Sequence, residues 1–182
     1  TCGEGGAFLT NDRDVYEFAL KLRGQGQSDR RYVHDELGYN YRMTNVQAAI
    51  LLSQLEDSDD IFRNKKRVFE RYRDNLKNIS GVHLQKEEDD TTHSNWMFGV
   101  RFVGMESSEV ARQYFREVQI DTRPMFYSYK EHRHLNFGGM DRNAITINTE
   151  VIIFPSYPEL SNEEIDYICE KILHFNKNGR EG

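Results

Sequence analysis

RRYVHDELGYNYRMTNVQAAILLSQLE, Arg30 to Glu56, is the stretch on which the reading of this chain turns. Its first half gathers Arg30, Arg31, His34, Asn40 and Arg42 in a polar, aromatic segment with neither helical nor strand period. Its second half opens on Thr44 and Gln47, spaced as a capping box in which each side chain satisfies a backbone donor at a helix start. A loop rich in cations and amides, delivered to a capped helix, suits a phosphorylated anion, because guanidinium forks and amide donors match phosphate oxygens. The competing interpretation is an interface loop whose arginines pair with Asp35 and Glu36. The residues alone weigh the two equally.

Working outward, Ala7-Phe8-Leu9-Thr10 reads as a short strand. Asn11-Asp12 then offers N-cap side chains to a helix with Val15, Phe18, Ala19 and Leu22 at helical spacing. Downstream, the pattern predicts a long helical stretch from about Asn45 to Leu76, bent around Asp57-Ser58-Asp59-Asp60. It is apolar first and highly charged later, as suits a helix that leaves one core to bridge two domains. The domain boundary is placed at Asp57, dividing residues 1–56 from 57–182. The Lys65-Lys66-Arg67 run, with Arg71 and Arg73, reads as a solvated helix face. Beyond it, strands are predicted over Met97 to Val103 and Val151 to Phe154. Ser108 to Gln119 carries Val110, Ala111, Tyr114, Phe115 and Val118 on one helical face. A second capping box at Ser161-Asn162-Glu163-Glu164 leads into Ile165, Ile168, Ile172 and Phe175. The chain is therefore α/β, its later part an α+β unit with helices on one sheet face.

A formal net charge of −6 over 182 residues argues against a generic nucleic-acid binder, whose footprint is basic. The longest apolar run, Ala48 to Leu52, is far short of a membrane span. Cys2 and Cys169 are the only cysteines, too few for a disulfide framework, and a reducing cytosol is the natural compartment. Gly24-Gln25-Gly26 is too short for a dinucleotide fingerprint. His132 and His134 lie close together in sequence, but no companion ligand completes a metal pattern, so no metal is expected. The opening TCGEGG puts three glycines in six residues, the composition of a sharply bent backbone. Glu4 between them is an acid or base, or more often a residue that hydrogen-bonds a turn.

GEGG before a strand, then GYNYRMTNVQAA and SQLE, resembles the pyridoxal-phosphate-dependent sugar-nucleotide aminotransferases of the DegT/DnrJ type, which share the aspartate aminotransferase fold (fold type I). The likeness continues through His93-Ser94-Asn95-Trp96-Met97, Asp121-Thr122-Arg123-Pro124-Met125-Phe126-Tyr127, Phe154 to Ser161 and Tyr167-Ile168-Cys169-Glu170. It covers nearly the whole chain, in order.

The resemblance implies that residues 1–56 close the large cofactor-binding domain and begin the linking helix, and that 57–182 form the small domain. It implies pyridoxal 5'-phosphate as cofactor, glutamate and a nucleotide-linked 4-keto-6-deoxy sugar as substrates, and a cytoplasmic homodimer with shared active sites. The lysine that holds the cofactor covalently is expected a few residues before TCGEGG. On that basis the chain carries no catalytic residue of its own and alone is inactive. Asn40 is expected to reach the phosphate of the neighbouring subunit's cofactor, with Glu4 and Gly5 shaping the turn after the lysine. Arg30 or Arg31 is expected to meet the substrate pyrophosphate, and Arg123, Phe126 and Tyr127 to approach the sugar. Tyr41 and Arg42 orient the loop or serve as buried structural partners. Two departures stand out. Ser128 and Lys130 occupy positions where the family often has Pro and His, and Leu51 stands where it often has Gly. Two rival readings stay open: a deoxysugar dehydratase on the same scaffold, and a non-catalytic dimerisation or binding module.

Overall fold

The computed structural model describes residues 2–135, 138–139 and 141–178, and the chain divides into two units, Thr1–Asp59 and Asp60–Gly182. In the first, Asp12 caps helix α1 (Arg13–Arg23), its Oδ1 accepting from the Asp14 and Val15 amides at 2.9 and 3.1 Å. Lys21 and Arg23 in the last turn complement the helix dipole. Helix α2 (Asn45–Glu56) opens on the expected capping box: Thr44 Oγ1 accepts from Gln47 N at 3.2 Å and Gln47 Oε1 from Thr44 N at 3.1 Å. None of the residues of α1 or α2 is buried. The strand expected at Ala7 to Thr10 does not form, because no neighbouring strand among the described residues offers it a ladder.

The long helix expected from Asn45 to Leu76 is two helices. Asp57 leaves helical geometry with ψ near 5° and ends α2, and α3 (Ser58–Leu76) follows at once. In the second unit come β1 (Val82–Leu84), β2 (Phe98–Phe102), α4 (Ser108–Glu117), β3 (Arg123–Pro124), α5 (Arg142–Glu150), β4 (Val151–Phe154) and α6 (Asn162–Asn178). The strands make one antiparallel sheet in the order β1-β2-β4-β3.

Register decides which side chains share a face. Phe98 lies opposite Phe154 and Val100 opposite Ile152, so these point the same way, together with Phe102 two residues on. Three helices cover that face. Tyr72 of α3 stacks on Phe98 with centroids 4.4 Å apart, Phe115 of α4 meets Phe154 edge-on at 4.8 Å, and Phe175 of α6 meets Phe102 edge-on at 5.2 Å. Each such side chain contributes roughly 1.5–3 kcal/mol by burial. The Tyr72 hydroxyl that enters this core is satisfied, donating to Pro155 O at 2.9 Å.

The basic run on α3 is a solvated face only in part. Arg63 and Lys66 belong to that part, pairing with Asp60 and Glu70 in solvent. Lys65 and Arg67 instead reach inward. Arg67 donates to Pro158 O, Leu160 O and Asn162 Oδ1 at 3.1, 2.7 and 2.8 Å, and Arg71 grips Asp166 of α6 through two nitrogens. The reason is helical period: Lys65 lies three and four residues before the buried Val68 and Phe69, on the same face.

Candidate functional site

After α1, Gln25 and Gly26 take positive φ (68° and 69°) and turn the chain back on itself. A narrow hairpin follows, closed by antiparallel bridges Gly24 to Asn40 at its base and Gln27 to His34 nearer its tip. The two limbs cross at Gly26 and Gly38 with no room for a side chain. A Cβ on Gly26 would stand 1.8 Å from Glu36 O, and one on Gly38 2.0 Å from Gly26 N. Gly24-Gln25-Gly26 is thus a crossing, and its glycines have a steric reason. His34 fastens the limbs by donating from Nδ1 to Gln25 O at 2.8 Å.

The tip carries Arg30 and Arg31. Ser28 Oγ accepts from Arg30 N at 3.2 Å and Val33 N donates to Arg30 O at 3.0 Å, fixing the backbone beneath both side chains. Neither arginine pairs with Asp35 or Glu36. Asp35 takes Lys21 at 3.2 Å, and the Arg31 guanidinium lies over the Tyr32 ring at 4.8 Å. The pairings on which the interface interpretation depends do not form, and two cations stand in solvent on a pinned turn.

At the base of the hairpin, Asn40 is exposed between Tyr39 and Tyr41, whose rings stack at 4.9 Å and 7°. Successive residues of an extended chain alternate sides, so the amide points away from that pair. Tyr41 and Arg42 are exposed, not buried. Glu4 acts through its carbonyl, which accepts from Gln47 Nε2 at 3.2 Å and ties the opening turn to α2. A Cβ on Gly5 would meet the Met43 methyl at 2.8 Å, so the turn passes closely over that side chain.

These residues fit pyridoxal phosphate at one point that geometry can judge. A phosphate asks for N–H donors. The Asn40 amide has two, on a backbone held by the bridge to Gly24, and no hydrogen bond within the described residues occupies them.

In the second unit, Arg123 opens the edge strand β3 and is exposed without an ion pair among the described residues. Phe126 and Tyr127 follow it, 65% and 60% exposed. The structure adds a residue to which sequence reasoning gave no role: Trp96, 66% exposed, stacks beside Phe126 at 6.3 Å. It is the sole tryptophan and stands inside a segment quoted for the family likeness, which was the available signal.

The departures at Ser128 and Lys130 have a common explanation. The Ser128 hydroxyl donates to Asp141 Oδ2, and Lys130 Nζ reaches Asp141 Oδ1 at 2.9 Å. Ser128 Oγ also accepts from Lys130 N at 3.3 Å, capping a 3-10 turn at Tyr129–Glu131. Asp141, whose side chain is nearly buried, is held below the usual carboxylate range first by the Ser128 hydroxyl and then by Lys130. The same pair raises the Lys130 ammonium. A cleft of about 400 Å³ also opens beside the start of α6, lined by Gln119, Asp121, Tyr157, Glu163 and Tyr167 among others; it holds none of the expected site residues. Among the described residues no group of three side chains could hold a metal ion, and no helix is long and apolar enough to cross a membrane.

This arrangement is the mixed α/β architecture of fold-type-I sugar aminotransferases. The chain superposes on an aminotransferase, TlmJ, from Streptoalloteichus hindustanus with a TM-score of 0.82 at 18% identity, covering 90% of this chain and 45% of that one. DesV from S. venezuelae, solved with a ketimine intermediate, gives 0.79 at 23% identity over 93% and 46%. These likenesses establish the fold. The family is fixed by sequence: residues 1–173 match the DegT/DnrJ/EryC1/StrS aminotransferase family, and the chain belongs to it. It is 39% identical to a GDP-perosamine synthase of Escherichia coli O157:H7 over 96% of this chain and 48% of that protein. It is 32% identical to the GDP-perosamine synthase of Vibrio cholerae over 96% and 49%. The chain thus spans about half the length of the curated relatives it matches.

Proposed function

We propose that this chain works within a pyridoxal-phosphate-dependent aminotransferase that moves an amino group from glutamate to C4 of GDP-4-keto-6-deoxymannose, forming GDP-perosamine. The observation that carries the reading is the 39% identity to a GDP-perosamine synthase maintained over 96% of the chain. The two arginines exposed on the pinned hairpin tip, without an ion pair among the described residues, support it, since a nucleotide sugar brings a pyrophosphate to be held. When bound, the cofactor supplies the electron sink for nitrogen transfer. The residues of this chain supply position and charge. Asn40 donates its amide to the phosphate of a neighbouring subunit's cofactor in a homodimer with shared sites. Arg30 or Arg31 grips the pyrophosphate with a planar fork. Arg123, Phe126 and Tyr127 border the sugar, and the Glu4–Gly5 turn sets the approach to the lysine that relatives of full length would provide.

The test uses a protein of the relatives' full length carrying this sequence, supplied with cofactor, glutamate and the GDP-linked ketosugar. Mass spectrometry is expected to show an amino sugar nucleotide. Loss of water without gain of nitrogen would instead identify a dehydratase. Replacing the pyrophosphate-binding arginine with Ala should weaken use of the sugar nucleotide by roughly 10- to 150-fold, from about 1.5–3 kcal/mol for a charged hydrogen bond. The half-reaction with glutamate should barely change. Equal losses in both half-reactions would remove the phosphate role.

A further inference from the structure

Two turns and a helix meet at the cleft of about 400 Å³ beside the start of α6, a volume in the range that holds small molecules. Its walls are fixed by bonds within the second unit. The turn from α4 into β3 is tied by Ile120 N, which donates to Phe115 O at 2.8 Å, and by Val118 O, which accepts from the Tyr167 hydroxyl at 3.1 Å. The loop from β4 into α6 is held by Arg67 on the Pro158 and Leu160 carbonyls and by Tyr72 on that of Pro155. Ile120, Leu160 and Ile168 make an apolar floor, and Tyr157 and Tyr167 stand beside them, 48% and 44% exposed.

The charge lining this cleft is all of one sign. Asp121 comes from the α4–β3 turn, Glu163 and Glu164 from the first turn of α6, and no described lysine, arginine or histidine joins them. Glu163 and Glu164 alone would need no ligand, because acids in a first turn complement the helix dipole. Glu164 also accepts from the Ser161 amide at 2.8 Å. Asp121 has neither reason: it lies on another element, exposed, with no ion pair among the described residues. Neighbouring cations are engaged elsewhere, Arg67 on carbonyls and Asn162, and Lys171 on Glu170 at 2.8 Å. Lys171 also lays its ammonium over the Tyr167 ring at 4.9 Å, so one of the two rings already attracts a cation.

We infer that this cleft binds a small organic cation, an amine whose apolar body rests on Ile120, Leu160 and Ile168. Its ammonium lies against the tyrosine rings, within reach of the Asp121 and Glu163 carboxylates. Ring quadrupole and carboxylate attract the same charge, and the floor rewards an apolar body with burial. The same carboxylates repel a nucleotide sugar and the dicarboxylate glutamate, so the cleft is not a second place for either substrate. The inference therefore goes beyond the aminotransferase reading and does not depend on it.

Phenethylamine, a cation at neutral pH, is the probe, with phenethyl alcohol as its neutral isostere and phenylacetate as its anionic counterpart. Amide shifts of the isotope-labelled chain are expected to show saturable binding of the amine, centred on Asp121, Glu163 and Tyr167. The amine should bind at least about 5-fold more tightly than the alcohol, and phenylacetate not at all. Asp121→Asn combined with Glu163→Gln should bring amine and alcohol to equal affinity. Tyr157→Leu should weaken the amine about 2- to 5-fold and Tyr157→Phe leave it unchanged, since the ring and not the hydroxyl attracts the charge. These side chains are exposed, so the melting temperature should hold across the variants. Equal binding of amine and alcohol by the unsubstituted chain, shifts confined to other residues, or no saturation at millimolar amine would each overturn the site. Selectivity for the amine that survives the double substitution would overturn the role given to the carboxylates.

Discussion

Helices α2 and α6 begin alike and end differently. Each opens on a capping box, Thr44 with Gln47 and Ser161 with Glu164. Yet α6 buries Ile165, Ile168, Cys169, Ile172 and Phe175, while α2 buries nothing. Residues exposed on α2 include Val46, Ile50, Leu52 and Leu55, at positions all round the helix rather than along one stripe. A cap is a local device that a helix carries with it; burial is a property of its surroundings. A twelve-residue helix without packing is marginal in water. In this chain, then, α6 is held by its unit and α2 by little more than its own first turn.

The sharpest way to break that contrast is amide exchange. Amides in the middle of α6 should be protected by at least about a thousandfold, as in a core that opens only globally, and those of α2 by little. Comparable protection in the two helices would show that α2 is packed. Next in size is truncation. Phe115, fully buried among Phe102, Phe154 and Phe175, should cost about 3–5 kcal/mol as Phe115→Ala in urea unfolding followed by Trp96 fluorescence. Leu52→Ala on α2 should stay within about 0.5 kcal/mol in the same assay.

A smaller effect separates neighbours on α3. Arg67→Ala forfeits charge-assisted bonds to two carbonyls and should cost about 1.5–3 kcal/mol. Lys66→Ala, one residue away, should cost no more than about 0.5 kcal/mol. The smallest is pH. The Cys169 thiol is pushed up by burial to about 11 from 9.0. Folding holds that proton more tightly, so the associated stability is full below pH 9.0 and fades as pH rises towards 11. Asp166 goes the other way: Arg71 first, and Asn75, depress it from 3.8, so its contribution is present above that pH and fades below it. The second unit should therefore show a stability plateau between those limits, and a steady slope across it would refute the assignment. Iodoacetamide should accordingly modify Cys2 in the folded chain and spare the buried Cys169.

Legibility followed the same division between local and tertiary signals. Both capping boxes, the Asp12 cap and the strands β2 and β4 could be read because their determinants lie within a few residues. Strand β1 is three residues long, and β3 is two residues ending in Pro124; both exist only because a neighbour pairs with them. Helix α5 has no side-chain cap bond to announce it. Lys65 and Arg67 read as solvated because charge was visible and the carbonyls they serve, some thirty and ninety residues away, were not. For the candidate site, composition could only balance an anion loop against an interface. The roles of Asn40, Arg30, Arg31, Arg123, Phe126 and Tyr127 came from family likeness. The exposure of Arg30 and Arg31 and the outward Trp96 came from the fold.

The Ser128–Asp141–Lys130 cluster has a consequence for the loop that carries Phe126 and Tyr127. A proline restrains its chain covalently, and that restraint is indifferent to the medium. Here a hydroxyl, a carboxylate and an ammonium do the stiffening, and the ammonium is half exposed. Charges facing water are screened within about 3 Å at 1 M salt. The mobility of this loop should then follow ionic strength, with Lys130→Met imitating high salt and Ser128→Pro abolishing the dependence; nuclear relaxation that ignores salt in the unsubstituted chain would refute this. Rigidity of the segment that carries Phe126 and Tyr127 would then be a setting of the solution, adjustable without altering a single residue.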